Sequence, residues 1–199
     1  MKSFNDSVEL QNEMQEQLLK EEGSFLAGKI FGLEHPTVIT LGKRGNLSLD
    51  VNVSEEEIQV VEIDRGGQAT LHSPGQLVIY PILNLRRLNL GVREYVETLE
   101  KVTIHSLKQL GIAAERGHQP GVFTPNGKIA FVGVRIRRGI SSHGISINFS
   151  NDLNLFQNIR SCGVQNASFD RVYNYHTDFK IHDFFENWQN LFRQAIKLE

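Results

Sequence analysis

The stretch from Arg65 to Tyr80 reads RGGQATLHSPGQLVIY and joins a glycine-rich segment to an apolar run. Glycine lets a backbone approach a ligand closely and adopt φ > 0 conformations that other residues resist. A loop that only reversed the chain would not also need Arg65, Thr70 and His72 at fixed places. We therefore expect this stretch to form the wall of a binding site, anchored on a strand at Leu77–Leu83.

Periodic segments on either side of this stretch predict an α/β or α+β fold. Apolar residues at helical spacing predict helices at residues 7–21, at residues 92–110 and from Phe184 to Ala195. The Pro125-Asn126-Gly127 segment predicts a hairpin turn. The order of elements predicts one domain over residues 1–199, a sheet with helices packed on one side. Strands are predicted at Thr37–Leu41, Ile58–Ile63, Gln76–Leu83, Val122–Thr124, Lys128–Arg137 and Ser142–Phe149.

The composition is that of an ordinary globular protein. The chain has 199 residues, 40% hydrophobic and 22% charged, with a formal net charge of -2, so bulk charge gives no case for binding nucleic acid or an anionic membrane. Arg135, Arg137 and Arg138 form a local basic run, either a docking surface or a solvated strand face. The sequence lacks an apolar stretch of the ~20 residues that cross a membrane, and residues 1–22 have no hydrophobic core of the kind a secretory signal needs, so we expect them not to be one. With one cysteine, these features predict a cytoplasmic protein.

Cys162 and Lys128 are the candidate catalytic residues. A free cysteine is often a buried small hydrophobe, but polar neighbours surround Cys162 and Gly163 leaves room for an electrophile. A nucleophilic cysteine needs a nearby base or cation, because the thiolate is the reactive form. Lys128 is either a solvated lysine at a hairpin end or that cation. Beside Cys162, it would lower the thiol pKa from about 8.5 toward roughly 3.5–7.5.

Two histidines and several missing motifs narrow the chemistry further. His72 and His143 each lie close to glycine, and each is either a structural histidine or part of a site. Paired cysteines and a helical His-x-x-x-His pattern are absent, so we expect no metal. The phosphate-binding Gly-x-x-x-x-Gly-Lys-Ser/Thr pattern and the dinucleotide Gly-x-Gly-x-x-Gly pattern are also absent, and we expect no cofactor.

Three blocks of this sequence carry a recognisable pattern. They are Arg65-Gly66-Gly67 through Thr70, His72, Pro74-Gly75-Gln76-Leu77 and Tyr80, then Lys128-Ile129-Ala130 with Gly133-Val134 and Ser142-His143-Gly144 to Asn148, then Cys162-Gly163-Val164. Taken together, they resemble the lipoyl(octanoyl) transferases, which move an octanoyl group from acyl carrier protein to a lysine of lipoyl domains. The resemblance covers roughly residues 30–165. It implies a mixed sheet flanked by helices, the fold shared with biotin and lipoate protein ligases.

The resemblance also implies roles for individual residues. Cys162 matches the family's nucleophile, and Lys128 matches the residue that lowers its pKa and handles protons. His143 and Gly75 are candidates for structural or oxyanion support. The residues that match the lining of the acyl pocket are Arg65, Gly66, Gly67, Gln68, Ala69, Thr70, Leu71, His72, Phe131, Val132, Gly133, Gly144, Ile145 and Ser146.

The implied reaction is a ping-pong acyl transfer through a Cys162 thioester, an early step in making protein-bound lipoate. Its implied partners are octanoyl-acyl carrier protein as donor, and as acceptors the lipoyl domains of 2-oxoacid dehydrogenase complexes and the H protein of glycine cleavage. Two alternatives stay open. One is an ATP-dependent lipoate or biotin ligase on the same fold, and the other is a non-catalytic module that binds an acyl carrier.

Overall fold

Two β-sheets form the centre of the computed structural model, which describes residues 1–20, 27–53, 57–160 and 167–198. The strands are β1 Gly28–Leu33, β2 Val38–Leu41, β3 Gln59–Glu62, β4 Ala69–His72, β5 Gln76–Leu83, β6 Glu115–Arg116, β7 Gly121–Thr124, β8 Gly127–Arg137 and β9 Ile140–Asn148. The large sheet is antiparallel throughout, with strand order β1-β5-β9-β8-β7-β6. The small sheet, β3-β2-β4, is mixed, because β2 runs parallel to β3 and antiparallel to β4.

Four α-helices accompany the sheets in the described part of the chain: α1 Phe4–Lys20, α2 Leu47–Asp50, α3 Val92–Gln109 and α4 Ile181–Ala195. Short 3-10 helices follow β9 at Leu153–Asn158 and Val172–Asn174. The helix predicted at residues 7–21 begins earlier, at Phe4. The strand predicted at Gln76–Leu83 is β5, with the same bounds.

Helices cover both faces of the large sheet, which corrects the prediction that they lie on one side. Tyr95 of α3 and Trp188 of α4 are buried in the main core with Ile79 of β5. Leu18 of α1 packs with Val78 of β5 in a separate apolar cluster. Every residue of β5 and β9 is buried. Because β5 is apolar on both sides, it requires cover on both faces, and element order alone does not reveal this.

The two hairpins around β8 follow from their turn residues. The predicted Pro-Asn-Gly turn is present, with Thr124 paired to Gly127 across two loop residues. Arg138 and Gly139 turn the chain from β8 to β9 with φ angles of 52° and 88°, and positive φ at both loop positions matches the twist of the flanking strands. The hairpins thereby bring Lys128 and His143 onto neighbouring strands.

The segment predicted as a binding wall contains a strand that the sequence analysis did not assign. Ala69–His72 forms β4 and pairs with β2 at the edge of the small sheet. Leu71 lies in the apolar cluster between the small sheet and Phe156. Within the described ranges, none of the helices is long and apolar enough to cross a bilayer.

Candidate active site

A cavity lies between β4 and the strands β8 and β9. It has a volume of about 60 Å³ and opens to solvent. Fourteen predicted site residues line it: Arg65, Gly67, Gln68, Ala69, Thr70, His72, Lys128, Phe131, Val132, Gly133, His143, Gly144, Ile145 and Ser146. The antiparallel pairing of β8 and β9 sets Phe131 opposite Ser146 and Gly133 opposite Gly144, so segments distant in sequence form one wall.

Of the predicted site residues that the structure describes, three lie outside the cavity lining. Leu71 alternates with Thr70 and His72 along β4, so its side chain enters the core of the small sheet instead. The Gly66 N–H donates to the carbonyl of Val134 at 3.0 Å and fixes the start of the wall. Gly75 has a φ of 84°, and a Cβ there would lie 2.5 Å from Ser150 Oγ, so it serves a tight turn.

Arg65 joins the glycine-rich segment to the small sheet. Its side chain is buried, with 6% exposed. Nη2 donates to the carbonyl oxygen of Thr40 at 2.7 Å and to its Oγ1 at 2.8 Å, and Nη1 donates to the carbonyl of Gly66 at 2.9 Å. A guanidinium held by fixed acceptors brings a permanent positive charge to the inner wall.

Burial, assisted by that charge, keeps the two cavity histidines neutral. Burial lowers the pKa of His72 to about 3, helped by the charges of His35 and Arg65. Burial also lowers the pKa of His143 to about 3, and Arg65 and Arg135 add to the effect. Because the two imidazoles are neutral, they add no charge to the part of the wall that would contact an apolar ligand.

A chain of hydrogen bonds fixes the tautomer of His72. The carbonyl of Asp170 accepts from Asn148 Nδ2 at 3.0 Å, which orients that amide. Asn148 Oδ1 then accepts from Gln76 Nε2 at 2.9 Å, and Gln76 Oε1 faces His72 Nδ1 at 2.7 Å. Because an amide oxygen only accepts, Nδ1 of His72 carries the proton and Nε2 carries the lone pair.

Lys128 begins β8 with its ammonium inside the protein. The residue is 5% exposed, and Nζ donates to the carbonyl of Pro120 at 3.0 Å. Nζ also lies 5.3 Å from the ring centre of Phe123 and 5.0 Å from that of Phe131, within the range of cation–π attraction. This burial excludes a solvated lysine, one of the two alternatives that the sequence left open for Lys128.

The predicted nucleophile, Cys162, lies outside the described residues. The described chain after it contacts Lys128, and the described chain before it joins an apolar cluster. Ile159 belongs to the apolar cluster that contains Phe131. On the other side, the Lys128 N–H donates to the carbonyl of Ser168 at 2.9 Å, and Phe169 forms a β-bridge with Lys128.

Four lining residues were missed by the sequence analysis: Phe4, Ile63, Val78 and Tyr80. Phe4 begins α1 and stacks on His72, with ring centres 6.1 Å apart. An aromatic residue in an amphipathic helix carries no sign of a distant cavity, so only the fold could reveal it. Tyr80 belongs to the Arg65–Tyr80 stretch, and its position two residues after Val78 on β5 places both side chains on the same face of the strand. This alternation was the signal that could have predicted it. Among the described residues, no group of three or more His, Cys, Asp or Glu could hold a metal ion.

Comparison with known proteins defines the class. The lipoyl protein ligase A/B catalytic domain matches residues 7–192. The solved structure of a lipoate-protein ligase A bound with ATP covers 98% of this chain and 83% of its own, with a TM-score of 0.78 and 14% identity. This likeness confirms the predicted α/β fold of the lipoate ligases.

Sequence relatives narrow the class. An octanoyltransferase of Xanthomonas euvesicatoria pv. vesicatoria is 45% identical over 144 residues, 72% of this chain and 61% of the relative. An octanoyltransferase of Alkalilimnicola ehrlichii is 44% identical over 153 residues, 76% of this chain and 70% of the relative. The chain therefore belongs to the lipoyl protein ligase A/B catalytic domain family and, within it, to the octanoyltransferases. It spans about three fifths of the length of the Xanthomonas relative.

Proposed function

We propose that this protein transfers an octanoyl group from acyl carrier protein to a lysine of a lipoyl domain through a thioester on Cys162. The observation that carries the proposal is the cavity, a slot lined by apolar side chains and neutral histidines, with the buried positive groups of Arg65 and Lys128 in its wall. Such a site suits an acyl chain whose thioester end reacts beside a positive charge. The octanoyltransferase relatives support this choice of acyl group.

The cavity wall accounts for binding of the acyl chain. Phe131, Val132 and Ile145 contribute apolar side chains, and the histidines are neutral. An octanoyl chain has six methylene groups, and burial of each contributes about 0.8 kcal/mol, so the chain gains roughly 5 kcal/mol. This is enough to hold the thioester carbonyl near the catalytic groups.

In the first half-reaction, the Cys162 thiolate attacks the thioester carbonyl of the octanoyl carrier. A new C–S bond forms and the bond to the carrier's pantetheine sulfur breaks. Lys128 as ammonium stabilises the attacking thiolate and gives a proton to the departing sulfur. One thioester replaces another, so the step needs no ATP.

In the second half-reaction, the acceptor lysine attacks the acyl-Cys162 carbonyl. A C–N bond forms, the C–S bond breaks and the Cys162 thiolate returns. Lys128, now a neutral amine, takes the proton that the attacking amine releases, which restores the ammonium. Forming an amide from a thioester drives this half forward.

The tetrahedral intermediates require donors near the developing oxyanion. His72 does not suit this role, because its Nδ1–H is used by Gln76 and Nε2 can only accept. Thr70 Oγ1 suits it better, because this hydroxyl lines the cavity and has no hydrogen-bond partner among the described residues. We assign Thr70 as the side-chain donor, beside backbone N–H groups near Cys162.

The decisive experiment is intact-mass analysis after incubation with octanoyl-acyl carrier protein in the absence of ATP. We expect wild type to gain the mass of one octanoyl group and to pass it to a lipoyl domain. Cys162→Ala should show neither event, while its thermal unfolding stays near that of wild type. Transfer by Cys162→Ala at the wild-type rate would refute the thioester. Transfer only from free acid with ATP would instead indicate a ligase.

A further inference from the structure

One peptide group lies between a buried carboxylate and the ammonium of Lys128. The Gly121 N–H donates to Glu100 Oε1 at 2.8 Å. The carbonyl on the other side of the same peptide, that of Pro120, accepts from Lys128 Nζ at 3.0 Å. In a trans peptide the N–H and C=O point in opposite directions. Glu100 and Lys128 therefore hold the same peptide group by its two opposite edges.

Glu100 places a carboxylate in the protein interior, where charged groups are rare. It lies on α3 with 2% exposed, and a carboxylate is costly to bury unless its oxygens are satisfied. Its second oxygen, Oε2, accepts from Arg116 Nε at 2.6 Å. Glu97, one turn earlier on α3, already pairs with Arg116 at 3.7 Å from the helix surface. Pairing with Arg116 therefore does not by itself require a carboxylate at position 100.

The packing around the peptide leaves it little freedom. Gly121 has a φ of 138°, and a Cβ there would lie 2.5 Å from both Lys128 Cε and the carbonyl oxygen of Ala130. The Lys128 side chain thus runs directly over the Gly121 backbone. A rotation of the Pro120–Gly121 peptide would withdraw the carbonyl that holds Nζ.

We propose that Glu100 is a positioning residue for Lys128, acting through the Pro120–Gly121 peptide. The carboxylate fixes the peptide plane and polarises it, which strengthens the opposite carbonyl as an acceptor for the ammonium. Its kinetic consequence rests on the proposed function, in which Lys128 stabilises the Cys162 thiolate and moves protons. A displacement of about 1 Å at such a group costs up to about 100-fold in rate.

The test compares Glu100→Gln and Glu100→Leu with the control Glu97→Gln. The glutamine is close in shape, but its single oxygen must serve two donors, Gly121 N–H and Arg116. We expect kcat for octanoyl transfer to fall about 10- to 100-fold in both Glu100 variants, with KM for octanoyl-acyl carrier protein unchanged. Glu97→Gln removes a carboxylate from the same helix without touching the peptide and should keep the wild-type kcat.

A second measurement is independent of catalysis. The Lys128 ammonium, shielded and hydrogen-bonded, should give a slowly exchanging ¹⁵Nζ signal by NMR, assigned by its loss in Lys128→Arg. We expect the signal in wild type and Glu97→Gln and its loss in Glu100→Gln. A wild-type kcat together with an unchanged signal in Glu100→Gln would overturn the inference. If wild type shows no octanoyl transfer but Glu100→Gln still loses the signal, the proposed function is refuted and the positioning role stands.

Discussion

Acidification should destabilise this protein because its two cavity histidines resist protonation in the fold. Burial lowers the pKa of both His72 and His143 from 6.5 to about 3. In the unfolded chain both return to ordinary values and bind protons below 6.5. The unfolded state then binds more protons than the native state, so stability falls as the pH drops from about 6.5 toward 3.

The size of the effect follows from the same values. Below pH 6.5 each pH unit costs about 1.4 kcal/mol for each histidine until the native state also protonates. At about pH 5 each histidine has therefore lowered the free energy of unfolding by about 2 kcal/mol, and the pair by about 4 kcal/mol. This is a large share of the roughly 5–15 kcal/mol of a typical domain.

Urea unfolding followed by tryptophan fluorescence at neutral pH and at about pH 5 measures this loss. His143→Asn tests the assignment, because asparagine does not titrate and tolerates the φ of 56° at this position. We expect the variant to lose about 2 kcal/mol less stability than wild type on acidification, the share of His143 alone. The exposed His105 supplies the control, and His105→Gln should keep the wild-type loss. Equal losses in wild type and His143→Asn would refute the buried, neutral histidine.

Two further predictions concern stability and acyl selection. Burial raises the pKa of Asp170, but hydrogen bonds from Thr124, Tyr175, Asn174 and the Arg171 N–H outweigh it and hold the pKa below its usual value. The Asp170 carboxylate therefore stabilises the fold above about pH 4, and this contribution is lost as the pH falls further. Asp170→Asn should lower the free energy of unfolding by about 3 kcal/mol at neutral pH, measured by urea unfolding. An unchanged urea midpoint would contradict this. In Gly133→Ala, the new Cβ would lie 3.0 Å from Arg65 Cδ in the cavity wall, so kcat/KM for octanoyl relative to hexanoyl donors should fall roughly tenfold. Gly91→Ala, whose Cβ would meet nothing within 4 Å, should keep the wild-type ratio, and a matching ratio in Gly133→Ala would place the acyl chain elsewhere.

Local sequence signals predicted the elements whose formation depends on nearby residues. The Pro125-Asn126-Gly127 turn, the apolar run of β5 and the periodic pattern of α3 all appear where they were predicted. The strand β4 was missed, because its four residues lie between glycines and a proline that indicate a loop. Its pairing with β2 decides its conformation, and sequence spacing does not show that partner.

The residues of the candidate site also fall into those predicted from sequence and those revealed only by the fold. The motif residues Arg65, Thr70, His72 and Lys128 were predicted from sequence, and they line one cavity. Leu71 was predicted with them but faces the core, because β4 alternates its side chains. Phe4 was not predicted, because it reaches the cavity only after α1 packs across the large sheet.

The sequence alone determined which chemical groups this chain possesses and the order of its motifs, since helix periods, turn residues and motif spacing are local properties. It therefore predicted the family, the fold class and most of the cavity wall. The tertiary structure decided which side chains become neighbours and how far water is excluded from them. The neutrality of His72, its tautomer and the peptide shared by Glu100 and Lys128 depend on burial and on contacts between distant segments. These features form only when the helices cover both faces of the sheet and exclude water from it.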